Sequence, residues 1–201
     1  MLSPLERYQR IAGYYDALDF LFEYRRYRHI RPLLFKGVSG RILDAGVGTG
    51  RNIPYYPAGA SVLGIDLSPA MLARAERRRV ALDAVVDLRQ MDVTALDFPD
   101  HSFDAAVATF LFCVLPNEQQ VQALRELGRV VKPAGSIRLL EYVRPKGMLR
   151  GAIARLWEPW MAWAYGAGFD RRTEEFIPEA GMRVVESRFV VGDLIKLIHC
   201  R

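Results

Sequence analysis

Asp44-Ala45-Gly46-Val47-Gly48-Thr49-Gly50 is the stretch on which the reading of this chain turns. It follows residues 41–44 (RILD), a short apolar run after Gly40 that reads as a buried strand. Glycines at alternate positions directly after a strand allow a tight turn and let the backbone approach a ligand closely. The pattern predicts a helix after the turn, offering free N–H groups at its N-terminus. The dinucleotide fingerprint G-x-G-x-x-G fits incompletely, because Arg51 stands where its third glycine belongs. D-x-G-x-G-x-G fits better, with Asp44 as the acidic residue ahead of the glycines.

Outward from this turn, apolar runs alternate with helical patterns. Residues 61–66 (SVLGID), 85–91, 103–109 (FDAAVAT) and 136–143 (SIRLLEYV) read as further strands, with helical patterns at 69–79 and 118–131. Ser68 before Pro69 is an N-cap followed by proline at the first helical position. Lys132-Pro133-Ala134-Gly135 stops the second helix. Such alternation builds βαβ units and a parallel sheet with right-handed crossovers. Residues 183–191 and 194–200 flank Gly192-Asp193 and read as a terminal hairpin whose last strand runs antiparallel. The expected fold is one α/β domain over residues 1–201: a Rossmann-like, seven-stranded, mostly parallel sheet with helices on both faces. Two segments stand outside it. Residues 1–36 form a helical cap in which Leu5, Tyr8, Ala12 and Tyr15 recur at helical spacing, and residues 144–172 form a helical insertion that Pro159 breaks or kinks.

Composition narrows the function classes. The chain has 201 residues, 51% hydrophobic and 25% charged, which excludes a wholly disordered, collagenous or coiled-coil chain. Its two cysteines, Cys113 and Cys200, argue against a disulfide framework and a cysteine-built metal site, so no metal is expected. Residues 1–15 lack a long apolar run, so no signal peptide is expected, nor is a transmembrane helix; a reduced cytoplasmic compartment is the default. The net charge of +5 is unevenly placed: +3 over residues 1–36, zero over 37–140, +3 over 141–172 and −1 over 173–201. Trp157, Trp160 and Trp163 fall in the second basic segment beside Met161, Tyr165, Arg150, Arg155, Arg171 and Arg172. Tryptophan beside arginine suits an anionic membrane surface, and a uniformly basic nucleic-acid face is absent. The expected location is therefore peripheral, on the inner face of a membrane. Nothing in the sequence specifies an oligomeric state.

The glycine turn and its neighbours resemble the class I S-adenosylmethionine (SAM) dependent methyltransferases. An acidic residue beside the loop suits a ligand carrying an amine and a sulfonium and would repel phosphates. Asp66 ends the second strand, 20 residues after Gly46, where an acidic residue can accept both ribose hydroxyls. Residues 64–72 (GIDLSPAML) match the family segment that includes Leu67 and Met71. By the same resemblance, Asp92 in Met91-Asp92-Val93 accepts from the adenine amino group while its neighbours cover the ring. Thr109-Phe110 then lies near the sulfonium. The implied cofactor-binding set is Tyr15, Asp44, Gly46, Gly48, Gly50, Asp66, Leu67, Met71, Met91, Asp92, Val93 and Thr109. The rival reading of the turn is an NAD(P)-dependent oxidoreductase.

Three groups within the family share segments with this chain. GVGTG, GIDLSPAMLARA, MDVTALDFPDHSFDAAVA and LRELGRVVKPAG are similar to bacterial phospholipid N-methyltransferases, which methylate phosphatidylethanolamine. Tyr15-Asp16 resembles the opening motif of the ubiquinone/menaquinone C-methyltransferases, although the residues after it depart from that pattern. NIPYYP and FLFCVLPN resemble membrane-associated thiol S-methyltransferases. All three take apolar or membrane-borne acceptors, and phosphatidylethanolamine is the preferred one here. Methyl transfer is an in-line displacement that a dry, aligned pocket accelerates without an obligatory base. His29, His101 and His199 have no evident partner and receive no catalytic role. Tyr14, Tyr15, Glu141 and Tyr142 are the substrate-side candidates, with Tyr15, Glu141 and Tyr142 as the catalytic set: a phenol or carboxylate orients an ammonium and accepts its proton.

Overall fold

Seven strands are found among the described residues: β1 (Arg41–Ala45), β2 (Ser61–Asp66), β3 (Asp87–Gln90), β4 (Phe103–Thr109), β5 (Val131–Tyr142), β6 (Val184–Val191) and β7 (Ile195–Cys200). The computed structural model describes residues 23–145 and 172–201, with 147, 151, 152, 155, 156, 158, 159 and 168 between them. The strands form one sheet in the order β3-β2-β1-β4-β5-β7-β6. β1 through β5 pair in parallel, and β7 runs antiparallel between β5 and β6, as the terminal hairpin predicts.

Alternation along the central strands divides the core in two. Leu43, Leu63, Ala106, Ala108, Leu139 and Ile198 pack on one face with Ala123, Leu124 and Leu127 of helix α2 (Asn117–Val130) and with Phe176 and Ile177 of α3 (Thr173–Glu179). Ile42, Val62, Ala105, Val107, Leu140 and Leu197 pack on the other face with Tyr27, Ile30, Leu34 and Phe35. Strands buried on both faces read as near-continuous apolar runs, which is why β1, β2 and β4 stood out in the sequence. β3 is an edge strand with mostly exposed residues, and its run is correspondingly weak and shorter than expected.

Helix α1 (Pro69–Ala81) starts where Ser68 predicts: the Ser68 hydroxyl accepts from the Met71 N–H at 3.4 Å. β5 departs from expectation. It begins at Val131, directly after α2, so Lys132-Pro133-Ala134-Gly135 ends the helix and also opens the strand. A register shift against β4 between Phe103 and Ala105 absorbs this irregular start. Of the N-terminal cap, residues 23–36 are described: a π-helical turn at Glu23–Tyr27, then helical turns at Arg28–Ile30 and Pro32–Phe35. Tyr14, Tyr15, Trp157, Trp160 and Trp163 lie outside the described residues, as does most of the 144–172 insertion.

Leu43 is fully buried in the first core. Leu43→Ala should lower the unfolding free energy by about 2–5 kcal/mol, read from the midpoint of urea denaturation. A loss well under 1 kcal/mol would mean the sheet centre is packed otherwise.

Candidate functional site

The carboxyl ends of β1 to β4 open on a cleft of about 810 Å³, its solvent-open mouth included. Ligand sites in open α/β sheets lie at this end. Gly46 and Gly48 enter from the turn after β1, and Ile65, Asp66 and Leu67 from β2. Ser68 and Met71 come from the start of α1, and Met91, Asp92 and Val93 from the segment after β3. Thr109, Phe110 and Leu111 close the far side at the end of β4, with Val114 and Leu115 beyond them. Nine positions of the sequence-derived cofactor set therefore meet in one cavity. Asp44 and Gly50 do not line it, and Tyr15 lies outside the described residues.

The turn after β1 is built differently from expectation. No α-helix follows it; turns lead into a short 3-10 segment at Ile53–Tyr55. Pro54 and Pro57 cannot donate the backbone N–H groups a helix would need here. The loop amides are not free either. The Gly46 and Val47 N–H groups both donate to the Ile65 carbonyl at 2.9 Å, and Gly50 N–H donates to the Val47 carbonyl at 2.9 Å. Gly48 N–H donates to Asp66 Oδ2 at 2.9 Å. Two of the glycines serve different ends. At Gly50, φ is +78°, and a Cβ would lie 2.7 Å from Ile53 Cδ1 and 3.1 Å from the Ala75 Cα in α1. At Gly48, φ is +56°, and the nearest atom to a Cβ is the Gly46 carbonyl at 3.9 Å, which leaves the space beside this backbone open.

Asp44 sits behind the loop, fully buried. Its carboxylate accepts from Asn52 Nδ2 at 3.1 and 3.0 Å and from the Tyr56 hydroxyl at 2.7 Å. Burial pushes the Asp44 carboxyl up to about 6, against the lowering effect of these donors and of the Arg31 charge. The same burial, with Asp44 alongside, raises the Tyr56 phenol. Asn52 also donates to Thr109 Oγ1 at 3.0 Å, and its carbonyl accepts from Arg31 Nη1 at 2.9 Å. Arg31 in turn forms a forked ion pair with Glu23, at 2.9 Å from Nε to Oε1 and 2.9 Å from Nη2 to Oε2. Arg31, Glu23, Asn52 and Tyr56 escaped the sequence reading. Asn52 and Tyr56 lie within NIPYYP, and Arg31 is one arginine of the basic N-terminal segment.

Asp66 is positioned as expected at the end of β2. Besides Gly48, it accepts from Ser68 N–H through Oδ1 at 2.8 Å, and burial raises its carboxyl above the usual range. Asp92 is exposed and uses Oδ1 to close a local turn, accepting from Thr94 N–H and Oγ1 at 2.8 Å each.

Glu141 and Tyr142 part company. Tyr142 hydrogen-bonds through its hydroxyl to that of Tyr27 and stacks on Phe110, with centroids 4.8 Å apart. Phe110 lines the cleft with a left-handed backbone, φ +56°. Non-glycine residues in that region carry strain and cluster at functional sites. Glu141, expected beside the substrate, is buried away from the cleft lining. Its oxygens accept the N–H groups of Leu111, Phe112 and Cys113 at 3.1, 3.0 and 3.0 Å, so it organises the loop after β4. A carboxylate that satisfies three otherwise orphaned amides is a structural anchor, and this corrects the catalytic expectation for it.

Burial pushes the Glu141 carboxyl up to about 8. The folded state therefore holds this proton more tightly than the unfolded chain, and stability declines as pH rises through about 8. Between pH 6.5 and 8 the decline should approach roughly 1.4 kcal/mol per pH unit in urea titrations. Glu141→Gln should flatten it while lowering stability at pH 6, and an unchanged slope would assign the titration to another group. The two glycines separate by function. Gly50→Ala should depress the melting temperature strongly with or without ligand. Gly48→Ala should cost less stability yet weaken calorimetric binding of S-adenosylhomocysteine, the ligand implied by the sequence resemblance.

Comparison with known proteins identifies the family. The family described as a methyltransferase domain matches residues 42–135, from β1 to the start of β5. A phosphatidylethanolamine N-methyltransferase of Cereibacter sphaeroides is 37% identical over 174 residues, covering 84% of this chain and 83% of the relative. A demethylmenaquinone methyltransferase of Thermus thermophilus is 34% identical over 157 residues, covering 75% and 70%. Among solved structures, a SAM-dependent methyltransferase from Aquifex aeolicus superposes with a TM-score of 0.62 at 20% identity, covering 80% of each chain. The [4+2]-cyclase SpnF does so with a TM-score of 0.69 at 19% identity, over 86% of this chain and 79% of its own. The last two likenesses concern the fold. Fold, family match and relatives of 34–37% identity covered over most of their length together place the chain in the class I SAM-dependent methyltransferase family.

Proposed function

We propose that the chain methylates the amine of phosphatidylethanolamine, using SAM held in the cleft at the sheet's carboxyl end. The observation that carries this is the 37% identity to a phosphatidylethanolamine N-methyltransferase over 84% of the chain. The described segments at both ends of the chain pack on one sheet, which supports one domain over residues 1–201, capped by 1–36 and 144–172.

The cleft fits the cofactor. It has the carboxylates of Asp66 and Asp92 among mostly apolar walls, the mix of a few polar groups in an apolar cleft usual for small-ligand sites. A carboxylate offers about four lone-pair sites. Asp66 uses one on each oxygen for Gly48 and Ser68, which leaves one on each for a ribose hydroxyl. Leu67, Met71, Met91 and Val93 cover the adenine, and Asp92 reaches its amino group from the rim. Asp44 supplies negative charge behind Gly46 and Gly48 for the methionyl ammonium, and Gly50 keeps the loop seated on α1. When bound, SAM supplies an electrophilic methyl on a sulfonium. Thr109 and Phe110 hold the strand end against that side of the cleft. Tyr142, hydrogen-bonded to Tyr27, orients the neutral acceptor amine there by accepting from one of its N–H groups, and the methylated ammonium releases its proton to solvent. Tyr15, outside the described residues, stays a cofactor-side candidate on the sequence resemblance alone.

No helix of the described residues is long and apolar enough to cross a membrane. The basic charge at residues 1–36 and 141–172 and the tryptophans at 157, 160 and 163 support peripheral binding to an anionic inner leaflet. Quinone C-methylation is the second reading, favoured by the 34% identity to a demethylmenaquinone methyltransferase. Radiolabelled SAM, offered with vesicles of phosphatidylethanolamine, phosphatidylglycerol and demethylmenaquinone, separates the two. Label should enter the lipid amine, and Tyr142→Phe should slow it by about tenfold or more. Label in the quinone alone would overturn the proposal.

A further inference from the structure

We infer that Arg31 and its partner Glu23 are positioning residues for cofactor binding, acting on the glycine loop through Asn52. This rests on the SAM reading of the cleft and extends it to residues outside the cleft lining.

The geometry is a relay of four buried side chains. Glu23, Arg31, Asn52 and Asp44 are exposed by 7, 6, 3 and 0%. Arg31 has only donors, and Asp44, when ionised, only acceptors. The Asn52 amide between them can satisfy both in a single orientation, carbonyl toward Arg31 and NH2 toward Asp44. That orientation also aims Nδ2 at Thr109 Oγ1, on the cleft wall. The guanidinium therefore fixes the ends of β1 and β4 relative to each other, the two strand ends between which the cofactor's methyl-bearing part must lie. Arg31 is itself aimed by the fork to Glu23, and its guanidinium carbon lies 5.9 Å from the Phe110 ring centroid. A lysine cannot replace this, because an ammonium offers no planar fork for a carboxylate and an amide together.

Electrostatics gives the relay a signature that lost packing does not have. Asp44 faces the Tyr56 hydroxyl, the Asn52 amide, the Arg31 charge and the Asp66 charge; Glu23 stands behind Arg31. Arg31 favours the ionised form of Asp44. Ionised Asp44 favours a ligand bearing an ammonium, so affinity should be full above the Asp44 midpoint and fall as pH drops through it. Removing Arg31 moves that midpoint up. Removing the Glu23 charge moves it down, because the guanidinium is then no longer offset.

The experiment is calorimetric titration of the full-length chain with S-adenosylhomocysteine from pH 5 to 8, for wild type, Arg31→Met, Arg31→Lys and Glu23→Gln. Urea unfolding of each variant reports folding. Arg31→Met should weaken binding about ten- to hundredfold at pH 7, the scale of a lost charge-assisted hydrogen bond, and shift the pH midpoint upward. Glu23→Gln should shift it downward. Arg31→Lys should keep the midpoint near that of wild type while binding less tightly than wild type. Should Arg31→Met fail to fold, Arg31→Lys and Glu23→Gln carry the test. Weakening without opposite midpoint shifts would reduce the pair to packing and overturn the inference, as would unchanged affinity. Wild type that does not bind S-adenosylhomocysteine would instead overturn the SAM reading of the cleft.

Discussion

A carboxylate with no exposed surface closes β1, and much of the site is arranged around keeping it there. An unpartnered charge of this kind would neutralise or disrupt the fold. Asp44 is held by an amide and a phenol that the chain supplies eight and twelve residues later, so the crossover to β2 must curl back over its own strand. It does so with turns, prolines and a 3-10 segment. The usual device, a helix N-terminus beside the ligand loop, is replaced by side chains. That substitution has a consequence: the Asn52 amide that satisfies Asp44 needs an acceptor-side partner of its own, and Arg31 provides it from outside the sheet. The N-terminal segment is thus tied into the cofactor end of the fold by a polar requirement as well as by the apolar contacts of Tyr27, Ile30 and Leu34.

A second buried carboxylate, after β4, works by the same logic. The loop after β4 turns sharply at Phe110 and leaves three consecutive amides without strand or helix partners. Glu141, reaching over from β5, accepts all three. The two sites differ in their donors. Asp44 stands directly behind the glycine loop, held by Asn52 and Tyr56. Glu141 is engaged by backbone donors and lies outside the cleft lining, so what it sets is the shape of residues 111–113.

Most of the sheet was legible because its strands have short-range causes. β2 and β4 match their expected limits, since runs buried on both faces leave a continuous apolar signature bounded by polar residues. The N-cap at Ser68 and the antiparallel last strand were equally local signals. What escaped was long-range or dual in use. Lys132-Pro133-Ala134-Gly135 reads as a helix stop, and only the pairing of Val131 with Phe103, before the register shift, places it inside a strand. Glycines after a strand suggest a following helix, but Pro54 and Pro57 lack the N–H donors that helix would need, and a 3-10 segment forms instead. α3 was not anticipated, because Pro178 and three acidic residues hide its apolar side, Phe176 and Ile177.

The same division runs through the site. Asp66, Met71 and Thr109 occur at spacings set by strand length, so sequence alone places them at one sheet edge. Arg31 has no such spacing: it lies 13 residues before Asp44, in a segment whose other arginines at 25, 26 and 28 are not buried as it is. Sequence cannot tell a solvated arginine from one enclosed by a carboxylate and an amide, because the distinction resides entirely in the partners. Enclosure also changes what the residue does. A surface arginine adds to a diffuse basic field that suits a membrane, whereas Arg31, bound to Glu23, adds little net charge at a distance and a definite orientation at close range. The +3 of residues 1–36 therefore overstates the field this segment offers a lipid surface, and the part of it that survives pairing with Glu23 rests on residues other than Arg31.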